Sequence, residues 1–221
     1  MNELLFILYL IWVCILGSLF TTLGQPGLYT FSVLCAWMAN LCVLKQVVLF
    51  GFTCTCADPL VLGIFLSLNI LQEHYGEEAV NQCMLLIFSS LLAMSSLVIF
   101  HLAFIPGHTD TTQGAYTQLL SPTPRLFLAG LVSLYCSQKV ASVCFYWLKE
   151  HSTLSFNIRN FLVLSTSQFI DTGLFTLSGL YGLVDNCFHV FFISMLLKFV
   201  FILTLSTFMP LLYKKNYDVS L

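Results

Sequence analysis

Seven stretches of this chain run through about 18 or more almost wholly apolar residues, and a helix of that length spans a bilayer core. They predict helices at about 3–22, 28–50, 57–76, 82–105, 126–148, 160–182 and 187–212. Between them the chain has little to spend on a wet surface. Eight basic and ten acidic residues make up 8% of it, while 58% is hydrophobic. A soluble domain carries about 25% charged residues. Lipid is therefore the expected solvent for most of the outside. The expected fold is an all-α membrane protein, one integral membrane domain over residues 1–221, built as a polytopic bundle of about seven transmembrane helices. The net charge of −2 gives no bulk attraction for nucleic acid.

The first run is read as a retained spanning helix. Asn2 and Glu3 stand where a signal peptide carries basic residues, and no A-x-A site follows. Turn residues mark the breaks: Gly24-Gln25-Pro26-Gly27 after the first helix, Asp58-Pro59 opening the third, and a polar stretch with three prolines from Pro106 to Arg125. Seven of the nine cysteines are scattered through apolar runs, where a free thiol acts as a small hydrophobe. Cys54 and Cys56 form a lone C-x-C, a weak metal signal, and no metal or cofactor is expected.

Basic residues near helix ends set orientation. Lys149, Arg159, Lys214 and Lys215 fall on one side of a seven-helix topology and Arg125 on the other. The C-terminus is expected in the cytoplasm and the N-terminus outside.

Lys45, Glu73, Lys139, Asp171, His189 and Lys198 lie in or near the apolar spans. A charge at mid-bilayer costs about 2.5–3.5 kcal/mol even on lenient scales, so such groups face the bundle interior and mark solute or ion paths. Asn69, Gln72 and Glu73 share one helical face, as do Gln168, Asp171 and Thr172. A carboxylate beside an amide suits the edge of a flat heterocycle, because one accepts from ring N–H groups and the other both donates and accepts. The Ser137–Ser142 segment echoes Ser167–Thr172, with Phe145 and Phe175 at matching offsets. Two copies on consecutive, oppositely directed helices form the pattern of an inverted repeat, common in transporters.

The stretches Leu68–Gly76, Leu120–Arg125, Arg159-Asn160 and Ser167–Thr172, with Asn40 and Lys45 ahead of them, resemble the queuosine precursor transporters, also described as vitamin uptake transporters. The resemblance runs over nearly the whole chain. Family members commonly carry an acid at Asn69 and Ala141, Lys at His189, a basic pair at Glu77-Glu78, and an apolar residue at Lys139. The resemblance implies uptake of deazaguanine bases, either queuosine precursors or queuine, for tRNA modification. The implied partners are a small base and the lipid bilayer. The substrate-binding set is Asn40, Asn69, Gln72, Glu73, Gln138, Gln168 and Asp171, with Phe175 or Tyr75 available to stack on the base. Lys45, Arg159 and His189 are assigned to coupling or structure. No phosphate-binding G-x-x-x-x-G-K-[ST] loop is present. Coupling to protons through Glu73, Asp171 or His189, an energising partner, a homo-oligomer and uncoupled transport all stay open. Alternatives are a transporter or binding component for another vitamin-like solute, a structural subunit, or a membrane enzyme using His101, His108 and Asp110. The enzyme is disfavoured, because those three lack the spacing of a helical ligand pair.

Overall fold

The computed structural model describes residues 1–184, 187–200 and 202, with the side chains of Phe52, Phe156 and Asn157 outside that description. The apolar runs become α1 (Asn2–Thr21), α2 (Gly24–Cys42), α3 (Asp58–Ala103), α5 (Thr123–His151) and α6 (Phe156–Phe175), the last extended by a π-helical turn, Thr176–Leu180. A shorter apolar helix, α7, covers Cys187–Val200. The stretches Asn2–Thr21, Asp58–Ala103 and Gln113–His151 are each long and apolar enough to cross a membrane. The molecule is a helical membrane protein. The predicted end of the last helix, 203–212, and the basic pair Lys214-Lys215 lie outside the described residues.

Three expectations are corrected. The second helix does not run to residue 50. It stops at Cys42, and β1 (Gln46–Leu49) pairs antiparallel with β2 (Phe52–Thr55), with Leu49 opposite Phe52. Val47-Val48 favours the extended chain. The two-residue loop has positive φ at both positions, 51° at Phe50 and 84° at Gly51, as a type I′ hairpin turn requires. The polar stretch before Arg125 holds a short helix, α4 (Gln113–Leu120). Ahead of it, the hydroxyl and backbone N–H of Thr112 hold the Asp110 carboxyl below the ordinary carboxylate range.

The third correction concerns the loop expected after Gly76. Residues 58–103 are helical except at Gly76, whose φ of 81° and ψ of −177° break the ladder. A straight 46-residue helix would be about 69 Å long and would hold Val61 and Leu91 about 45 Å apart. Both line one cavity, so the chain folds back at this single residue. Only glycine adopts that backbone readily.

α2 packs along α3, α5 packs along α6, and α3 joins the two pairs. The core is apolar, with Phe31, Phe65, Leu68, Leu71, Ile87, Leu126 and Leu164 fully buried. Gly63 lets α1, α2 and α3 close together, since a Cβ there would lie 3.2 Å from Val13. α1 buries only Val13 and Gly17 and exposes Leu4, Leu8, Ile11, Trp12, Ile15 and Leu19, a face suited to lipid.

Candidate functional site

The polar residues collect along the seam where the first arm of α3 (58–75) meets α5 and α6. Side-chain contacts fix its directions. Asn69 Nδ2 donates to Asn160 Oδ1 at 2.7 Å, and Arg159 reaches Glu73, whereas Asp171 lies with Asp58 around one lysine. The α3 arm and α6 are therefore antiparallel. α5 runs with the α3 arm: Ser133 contacts Asp171, Ser142 donates to Gln72 at 3.1 Å, and Lys149 reaches Glu73.

Glu73 closes one end of the seam. Its carboxylate lies 3.7 Å from both Lys149 and Arg159, and the Arg159 guanidinium rests 5.6 Å from the Phe145 ring centre. At the other end, about 22 Å along the α3 arm, Lys198 of α7 reaches Asp58 at 3.5 Å, Asp171 at 3.9 Å and Thr172 Oγ1 at 3.0 Å. Ser194 donates to Asp58 at 2.7 Å. These charges are buried. They border a cavity of about 100 Å³ whose lining includes Asn40, Ser133, Asp171, Phe175 and Lys198. That volume holds several waters.

Between the two ends stand Gln138 on α5 and Gln168 on α6, exposed by 3% and 0%. Among the described residues, neither amide oxygen nor amide nitrogen of either side chain has a hydrogen-bond partner. Gln72 Nε2 and Asn40 Oδ1 are in the same position. These six amide atoms all belong to the predicted substrate-binding set, and each would cost about 1–3 kcal/mol if nothing ever met it.

The structure thus places Asn69, Gln72 and Glu73 toward one end of the seam, Gln138 and Gln168 between, and Asp171 with Asn40 at the cavity. The two carboxylates, Glu73 and Asp171, are held by different cations at opposite ends of the seam. Lys45 is exposed at the base of the hairpin, where its carbonyl accepts from Cys56 N–H, and His189 is exposed on α7. Tyr75 is exposed, so of the two stacking candidates only Phe175 is at the cavity. Lys139 is exposed and donates to Asn81 at 3.4 Å. Sequence reasoning missed Asp58, which reads only as a helix opener, and Ser133 and Ser194, which carry no pattern of their own; Ser142 stands in the internal echo, which assigns it no role. Lys198 stood out as a cation in an apolar run, but no sequence rule named its partners.

A family model described as "Putative vitamin uptake transporter" matches residues 58–214. The chain belongs to this transporter family. The vitamin uptake transporter match begins at Asp58 and takes in the seam residues of α3, α5, α6 and α7, leaving α1, α2 with Asn40, and the hairpin before it. A protein of Bacillus subtilis (strain 168) named "Probable queuosine precursor transporter" is 29% identical over 180 residues, 80% of this chain and 79% of the relative. No solved structure matches.

Proposed function

We propose that this chain is a membrane transporter that takes up queuosine precursors, or queuine, for tRNA modification. The observation that carries the reading is the pair of buried, unpartnered amides, Gln138 and Gln168. A deazaguanine base has donors and acceptors along a flat edge. An amide can meet either kind, and a ligand that pairs with these groups removes a desolvation penalty already present. Asn69, Gln72, Glu73, Asn40 and Asp171 complete the binding set, and Phe175 offers a ring face at the cavity.

The experiment is genetic. Cells without their own transporter or precursor synthesis, expressing this chain and given a low external concentration of base, regain queuosine in tRNA. The readout is the mobility shift on a boronate gel. No shift with any precursor or with queuine removes the substrate assignment and leaves another vitamin-like solute as the reading.

The same proposal includes seven spans in the inner membrane, with the two arms of α3 counted separately and the C-terminus cytoplasmic. It rests on the four-to-one bias of Lys149, Arg159, Lys214 and Lys215 against Arg125. Alkaline phosphatase fused after Leu212 is inactive on this topology, and strong activity there reverses it.

A further inference from the structure

Lys198 brings one positive charge to two buried carboxylates. The group Asp58–Lys198–Asp171 therefore carries a net charge of −1 when both acids are ionised, in a part of the molecule where all three side chains are less than a tenth exposed. An unbalanced charge is costly in such surroundings. We propose that Asp171 is a proton-binding site that couples transport to a proton gradient, with Asp58 and Lys198 as its fixed counter-charges. The inference rests on the transport reading above for its purpose, and on the geometry for its position.

Two features select Asp171 over Asp58. Asp58 is the better-partnered carboxylate: Lys198 is nearer to it, Ser194 donates to it, and it lies in the first turn of α3, where the helix dipole favours negative charge. Asp171 has the longer ion pair, and its hydroxyl partner can reverse the hydrogen bond. Ser133 Oγ lies 3.0 Å from Asp171 Oδ1 and 3.1 Å from the Gly130 carbonyl oxygen. A hydroxyl has one proton to give. When Asp171 is ionised, Ser133 donates to it. When Asp171 is protonated, it donates to Ser133 Oγ, and the serine donates to Gly130. Both states fit the same heavy-atom positions, so the proton moves on or off with a hydroxyl rotation.

The surroundings supply no competing charge among the described residues. Lys198 faces Asp171 from α7 and Asp58 from α3; α5 contributes the neutral Ser133 at this level, and α2 the neutral Asn40 at the cavity. The hairpin brings Cys54 and Cys56 within electrostatic range of Asp58, as thiols that are neutral near pH 7. A metal cation is the wrong occupant, because the lysine ammonium already stands between the carboxylates. The cavity has room for the water that delivers a proton.

Two measurements on the full chain test this. Infrared spectra of the purified protein in lipid, recorded during a pH titration, should show a buried carboxylic-acid C=O band that grows on acidification. The band is absent in Asp171→Asn. In Asp58→Asn it moves to lower pH, because Lys198 then serves Asp171 alone. No titrating band in the wild type, or an unchanged band in Asp171→Asn, overturns the proposal without reference to any substrate. In the second measurement, vesicles containing the wild type take up radiolabelled queuine with acid outside. One proton per base sustains up to about tenfold accumulation per pH unit, and Asp171→Asn accumulates none. Equilibration of queuine without accumulation, or accumulation driven by a sodium gradient instead, overturns the proposal. A wild type that moves no queuine at all counts against the substrate reading alone, and the infrared result then decides the proton site.

Discussion

The two ends of the seam are charge inverses. At one, a single acid, Glu73, meets two bases. At the other, a single base, Lys198, meets two acids. The ion-pair distances are alike, between 3.5 and 3.9 Å. The surroundings are not: the Lys149 side chain is 46% exposed and that of Lys198 only 4%. Distance alone therefore misjudges the pairs. Near water, a surplus positive charge is solvated and screened within about 10 Å. In the interior, the same imbalance has to be answered by the protein or by a proton.

The largest test of that contrast is Lys198→Met. It strands Asp58 and Asp171 without their cation, and breaking a buried pair costs about 3–5 kcal/mol. The thermal midpoint of the full chain in detergent should fall steeply, or the protein should fail to reach the membrane. A variant as stable as the wild type would break the comparison. Glu73→Gln is the milder counterpart. Its partners are partly hydrated, so the stability change is about 1 kcal/mol or less. Membrane levels and midpoint stay near wild type while base uptake is lost; a destabilisation as large as that of Lys198→Met would show the Glu73 end to be equally dry. The smallest effect is that of salt. Raising ionic strength should narrow the stability gap between Glu73→Gln and wild type and leave the Lys198→Met gap unchanged. Equal salt responses would erase the distinction.

The sequence exposed the parts of this arrangement that follow from solvation. Long apolar runs with few charges specify spanning helices whatever their neighbours, and α1, both arms of α3, α5 and α6 stand where those runs predict them. Most amide and carboxylate residues within such runs turned inward, and Asn69, Gln72, Gln138, Gln168 and Asp171 are all buried, but Lys45, Lys139 and His189, expected to face the interior, are exposed. Pairing was not legible. The cation of Asp171 comes from 27 positions further along the chain and those of Glu73 from 76 and 86, set by which helices touch. Local turn chemistry was misread at two places. Val47-Val48 continues an apolar run, so length argued for helix and β-branching lost. After Gly76, the gap between the apolar runs 57–76 and 82–105 reads as a break, yet Glu77 and Glu78 sit in the first turn of the returning arm, where acids favour a helix.

Position 76 has one more consequence. A methyl group added there would meet nothing within 4 Å, so the site has room to spare. What it refuses is handedness. Its backbone angles are strained for an L-residue by about 1–3 kcal/mol and open to the mirror-image residue. The angle between two arms of the bundle thus depends on the single amino acid that has no chirality, at a place where size would pass unnoticed.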